Sequence, residues 1–200
     1  AQRDIGPVDG NSVLADALRG AARLHGCWVF LPPQTRELGS VDDYFATAAR
    51  AGIRAFRAFP NLHRYLFREE VIGALVARLE RSGAPLLVRV DDIGWDPLYN
   101  LLAAFPRLTL ILCNMGPWNN DRLFRPLLDR YPRVCVETSG HITDGGIEAL
   151  VRDYGAGRLL FGSGFPDSYL GSMMLALTRA EISEADKQAI AGDNLRRILN

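Results

Sequence analysis

The 200 residues balance 23 Lys and Arg against 23 Asp and Glu, so formal net charge is zero. With 48% hydrophobic and 23% charged residues, this is ordinary globular composition, long enough for a sizeable core in one domain spanning residues 1–200. A neutral chain with no basic run excludes nucleic acid or anionic lipid as a partner of the whole surface, and no apolar run approaches a membrane span. Cys27, Cys113 and Cys135 lie in apolar stretches at spacings that fit neither a zinc knuckle nor a C-x-x-C pair; reduced thiols and a cytoplasmic location are expected. No signal peptide is visible, and the chain starts at Ala1 rather than Met, as expected of a beginning processed or left out.

Residues 1–10, with Gly6, Pro7 and Gly10, read as loop. Val13, Leu14, Ala17, Leu18, Ala21 and Leu24 then recur at helical spacing, and Gly26 ends that helix, with His25 placed to complement its dipole. Residues 27–31 are a short apolar strand stopped by Pro32 and Pro33. Ser40 with Asp43 resembles a capping box and opens a helix to Gly52. The pattern repeats: strand 53–59, helix 69–81, strand 86–90, helix 97–105, strand 108–113, helix 121–131, strand 134–138, helix 146–154, strand 159–161. The tail is helical over 170–179, over 183–191 behind a Ser183–Asp186 cap, and over 195–199.

Six strands thus alternate with helices at roughly the spacing of a βαβ unit. The strands are apolar on both faces, as in a parallel sheet covered by helices. An open doubly wound sheet and a closed barrel compete. The first strand has no G-x-G-x-x-G after it, which weighs against a dinucleotide-binding sheet. A full (β/α)8 barrel takes about 250 residues, so six units in this chain predict a barrel two units short.

Three strings favour the barrel. The last strand reads GRLLFGSGFP over 157–166, Ser139 and Gly140 close the strand before it, and the tail reads GDNLRRIL over 192–199. Together they resemble the amidohydrolase-related family, metal-dependent hydrolases and decarboxylases built on a (β/α)8 barrel. That family's last strand ends Gly-Ser-Asp-aromatic-Pro, and its closing helix carries Asn, Arg and paired aliphatics. The stretch LTLILCNMG over 108–116 is similar to the family's sixth strand, which ends His-Leu-Gly. The resemblance runs from about residue 11 to 200 and implies a chain beginning after the second barrel strand, with the family's H-x-H pair absent.

The resemblance also implies where metal ligands would stand. Arg89 takes the place of the fifth-strand His, Asn114 that of the sixth-strand His, and Gly164 that of the eighth-strand Asp. Arginine offers no lone pair and glycine no side chain, whereas zinc wants imidazole, thiolate or carboxylate. No metal ligand and no cofactor are therefore expected; a divalent metal such as zinc is the alternative, its site rebuilt from His63, His141, Asp91 and Asp167.

Barrel active sites lie at the C-terminal strand ends. Those ends carry Arg57, Arg89, Asp91, Asn114, Glu137, Ser139 and Gly164, with His63, Asp92, Trp95, Trp118, Asn119, His141 and Asp167 just beyond. Arg89, Asn114, Glu137 and His141 are the catalytic candidates; Arg57, His63, Asp91, Trp95 and Asp167 are the substrate-binding candidates. Arg57 and Arg89 suit a bidentate carboxylate clamp, and Glu137 or Asp91 an acid or base. Against these stand plainer roles: Arg89 in an ion pair with Asp91 or Glu137, Asn114 as a satisfied buried amide, His63 as an idle loop residue, and Trp28, Trp95 and Trp118 as packing. A phosphate held by residues 162–164 is a further option.

Three functions stay open: a metal-free pocket for a small carboxylated or cyclic compound with acid–base chemistry; a non-catalytic barrel that binds a ligand or partner subunit; and an active metal-dependent hydrolase or decarboxylase with ligands from elsewhere. Open strand edges invite pairing, so a homodimer or a partner chain over the barrel gap is expected.

Overall fold

The computed structural model describes residues 5–116, 120–141 and 143–200. The chain divides into two compact units, the first ending at Leu108 and the second beginning at Thr109.

The first unit holds three parallel strands in chain order, β1 (Cys27–Val29), β2 (Ala55–Arg57) and β3 (Leu86–Arg89). The register sets Cys27 beside Ala55 and Val29 beside Arg57. Around them lie α1 (Pro7–Ala17), α2 (Val41–Arg50), the single turn α3 (Pro60–His63), α4 (Glu69–Ser82) and α5 (Trp95–Ala104). The Ser40 hydroxyl accepts the Asp43 amide at 3.1 Å, the expected cap of α2. Ile72, Leu75, Val76 and Leu79 of α4 are buried on one stripe, the period-3.6 pattern that seats a helix on a sheet.

The second unit repeats the plan with β4 (Leu110–Cys113), β5 (Val134–Glu137) and β6 (Leu159–Leu160), again parallel and in chain order. Its helices are α6 (Asp121–Arg130), α7 (Gly146–Tyr154), α8 (Leu170–Arg179), α9 (Glu184–Gln188) and α10 (Asn194–Leu199), with a π turn over Ala189–Asp193. The buried Asn194 side chain donates to the carbonyls of Ala156 (2.8 Å) and Leu159 (2.9 Å). It thereby ties α10 to the start of β6 and explains the asparagine in the tail string.

The first helix departs from expectation. It runs over Pro7–Ala17, not 13–24, and its buried residues are Pro7, Gly10 and Asn11. Proline is preorganised for the first helical turn, which outweighs the loop character of residues 7–10. The Asn11 amide anchors the helix: it donates to the Val29 carbonyl at 2.7 Å and accepts the Val29 amide at 2.9 Å. His25 consequently lies exposed outside any helix and caps none. Among the described residues no helix is long and apolar enough to cross a membrane.

Candidate functional site

In the first unit the strand ends bring arginines, aromatics and a carboxylate together. Arg57 ends β2, and its guanidinium lies 4.7 Å from the centre of the Phe59 ring, a cation–π contact. The His63 ring meets the same Phe59 edge-on at 6.1 Å. Arg64 adopts a left-handed backbone at φ 56°, which turns the chain so that Tyr65 follows at once, its amide bonded to the Pro60 carbonyl at 3.0 Å. Arg89 ends β3 with its Nε 3.8 Å from Asp92 Oδ2, an ion pair too long for a hydrogen bond. The partner is thus Asp92, not Asp91 or Glu137. Asp91 is exposed, and its carbonyl accepts from Asn61 Nδ2 at 3.2 Å; the 3-10 turn over Val90–Asp92 rotates one acid outward and the other toward Arg89. Trp95 opens α5 and is half-buried.

What marks this region is unsatisfied polarity. Buried atoms without a hydrogen-bond partner are Trp28 Nε1, Tyr44 Oη, Arg57 Nε, both ring nitrogens of His63, Tyr65 Oη, Arg89 Nε and Asp92 Oδ2. Only one other such atom, His141 Nε2, occurs among the described residues. Native proteins pair nearly all buried polar atoms, and each orphan costs on the order of 1–3 kcal/mol. Six of the eight belong to residues that end β2 or β3 or follow them, while Trp28 lies within β1 and Tyr44 on α2; atoms of this kind are what a ligand or ordered water would satisfy. Their chemistry is lopsided. Trp28 and the two arginines only donate, the tyrosines and His63 can donate, and Asp92 alone is an obligate acceptor when ionised. Burial pushes the Tyr65 and Tyr44 hydroxyls above the usual phenol range, so both keep their protons. Burial also pulls His63 down, favouring the neutral ring, and raises the Cys27 thiol of β1 to about 12 despite the nearby Arg57 charge.

In the second unit Glu137 is already occupied. Its carboxylate accepts the Ser139 amide (2.8 Å), the Ser139 hydroxyl (2.6 Å) and the Asn114 amide (3.3 Å). Asn114 sits in the left-handed region at φ 51°, tolerated by asparagine more than by most residues. A Cβ on Gly140 would lie 2.8 Å from Asn114 Oδ1, and a Cβ on Gly162 would fall on the Glu137 carboxyl group. One carboxylate thus organises the ends of β4, β5 and β6. His141 turns elsewhere: it is 4% exposed and meets Phe124 of α6 edge-on at 6.2 Å. Burial lowers its pKa against the opposing pull of Asp121. Asp167 is exposed in the loop before α8. Trp118 and Asn119 lie outside the described residues.

Two imidazoles, half-buried His63 and buried His141, both with pKa lowered by burial, fix a sign for pH dependence. A histidine whose native pKa is depressed binds its proton more readily when unfolded, so stability is full above the unfolded pKa, about 6.5, and falls as pH drops through that value toward the native one. Thermal unfolding between pH 8 and pH 5 is expected to show a falling midpoint on the acid side, and His141→Gln a shallower fall. An equally steep profile for that variant would contradict the assignment.

The resemblance would put metal ligands at positions 89, 114 and 164. Arg89, Asn114 and Gly164 supply no anionic or imidazole donor, and among the described residues no three His, Cys, Asp or Glu side chains gather to hold an ion.

Fold and strand-end site together define an α/β protein of the (β/α) barrel type. The amidohydrolase family model matches residues 6–200, and the chain belongs to that family. Solved structures agree in fold. An uncharacterized TIM-barrel protein of Bordetella bronchiseptica superposes with a TM-score of 0.75 at 18% identity, covering 94% of this chain and 71% of its own. The 5-carboxyvanillate decarboxylase LigW of Sphingomonas paucimobilis gives 0.72 at 16%, covering 94% and 70%. A dihydroxybenzoic acid decarboxylase of Polaromonas sp. JS666, solved with manganese and 2-nitroresorcinol, gives 0.71 at 17%, covering 96% and 74%. No curated protein sequence matches significantly.

Proposed function

We propose that the chain binds a small carboxylated, cyclic compound at the C-terminal ends of β1–β3, through Arg57 and Arg89 and without the family's usual metal set. The observation that carries this reading is the donor-rich set of buried polar atoms without a hydrogen-bond partner, Arg57 Nε and both His63 nitrogens foremost. A carboxylate would satisfy arginine Nε–H groups as charge-assisted hydrogen bonds, roughly twice as strong as neutral ones. His63, Tyr65 and Trp28 offer further donors, and Asp92 can accept from a ligand hydroxyl. Phe59, in contact with both Arg57 and His63, adds apolar lining beside the donors. Acid–base work falls to His63, which burial keeps in the neutral, proton-accepting form. Glu137 and Asn114, tied to each other and to Ser139, hold the second unit's strand ends in place. Decarboxylases among the structural neighbours make an aromatic acid the first ligand to try. Reduced thiols at Cys27, Cys113 and Cys135 accord with a cytoplasmic protein.

Binding without turnover is the second reading, favoured by the full engagement of Glu137. Calorimetric titration with 2,6-dihydroxybenzoate tests binding, and carbon dioxide release tests turnover. Arg57→Met is expected to weaken binding about ten- to hundredfold with an unchanged unfolding midpoint. An Arg57→Met protein that binds as tightly as the wild type would overturn the assignment.

A further inference from the structure

We propose that the groove between the first turn of α7 and helix α8 binds a free apolar α-amino acid, with its carboxylate among His141, the start of α7 and Arg179 and its ammonium beside Asp144. The groove lies wholly in the second unit, and the proposal does not depend on the reading of β1–β3. Its starting point is His141. The residue is 4% exposed, yet its Nε2 has no hydrogen-bond partner. The backbone of Gly146 acts on the ring, but without the alignment of a hydrogen bond. The nitrogen faces the start of α7: a Cβ on Gly146, the first residue of that helix, would stand 2.7 Å from it. Helix α7 has no side-chain cap, so its first turn keeps the partial positive charge of a helix start. A neutral imidazole with its proton on Nε2 is a donor. This donor and the uncapped helix start converge on one place, where a carboxylate satisfies both.

The walls decide which carboxylate. His141 lines a groove of about 450 Å³ together with Asp144, Ile147, Glu148, Leu175 and Arg179. Asp144 and Arg179 are both exposed, and neither has an ion-pair partner among the described residues. Glu148 is partly engaged, since its Oε1 accepts the Glu181 amide at 2.8 Å. Two carboxylates against one guanidinium disfavour a phosphate or a dicarboxylate, which would meet like charge. A zwitterion meets both signs: its carboxylate pairs with Arg179 and the helix start, its ammonium with Asp144. Buried Ile147 and Leu175, 58% exposed, form an apolar wall for an aliphatic side chain.

Calorimetric titration of the protein with L-leucine tests the proposal. Saturable binding with a Kd below about 1 mM is expected. The acid analogue 4-methylpentanoate, which lacks the ammonium, and isopentylamine, which lacks the carboxylate, should each bind at least about tenfold more weakly. Arg179→Ala and Asp144→Asn, both at exposed positions, should each weaken leucine binding at least about tenfold with an unchanged unfolding midpoint. Leucine should also shift the imidazole nitrogen NMR resonances of one of the three histidines, the one whose signals His141→Gln removes. Absence of saturable binding, equally tight binding of the acid or the amine alone, full binding in both variants, or His141 resonances that leucine leaves in place would each overturn the proposal.

Discussion

Gly162→Ala is expected to destabilise the protein by about 2–3 kcal/mol, about as much as losing the Glu137 carboxylate. Gly162 does not use a left-handed backbone, so alanine there is conformationally acceptable and the penalty is steric. The added Cβ would fall on the Glu137 carboxyl group, which holds the Ser139 amide and hydroxyl and the Asn114 amide. To make room, Glu137 must abandon three donors at once. Glu137→Ala alone should destabilise by about 2–3 kcal/mol, because two backbone amides lose their acceptor. In that background Gly162→Ala should add less than about 1 kcal/mol, since the space is already empty. Urea unfolding of the four proteins measures the coupling; fully additive losses would show that Glu137 does not occupy this position.

Arg158→Met should destabilise by about 3 kcal/mol. Arg158 Nε donates to the Val134 carbonyl at 2.7 Å, and its Nη2 to the carbonyls of Tyr131 (2.8 Å) and Leu128 (3.2 Å). One guanidinium thereby satisfies the C-terminal end of α6 and the entry to β5, a place where helix carbonyls have no partner of their own. Burial lowers its pKa, but the group remains charged at neutral pH. Lysine has the charge without the planar fork, so Arg158→Lys should recover less than half of the loss. Chemical denaturation reads both variants, and full recovery by lysine would assign the effect to charge alone.

Much of the fold is legible in the chain because repeated apolar strands and capped amphipathic helices are local signals. Ser40–Asp43 and Ser183–Asp186 announce their helices, and both caps form at 3.1 Å. The first helix is misread because periodicity sees only apolar residues: Val13 and Leu24 fit the pattern yet are 49% and 64% exposed, while the true anchor is the polar Asn11. Strand ends are legible too, so Arg57, His63 and Arg89 stand out in the sequence. The rest of that group is not. Asp91 and Asp92 are indistinguishable until a 3-10 turn separates them, Tyr44 lies on a helix with no strand-end signal, and Tyr65 reaches the site only through the left-handed turn at Arg64. Trp28 reads as packing and its ring lies 5.9 Å from that of Tyr44, but its indole nitrogen without a hydrogen-bond partner is visible only in three dimensions. Glu137 looks like a free acid in sequence because its acceptors' partners, the amides of residues 114 and 139, are backbone.

The measurement that bears most directly on ligand binding without the family's metal set is calorimetric titration of chelator-treated, dialysed protein with 2,6-dihydroxybenzoate, with and without added manganese. Saturable binding that is unchanged by manganese and weakened in Arg57→Met is the predicted result. Binding that appears only when manganese is restored would contradict it and return the chain to the metal-dependent chemistry of its family.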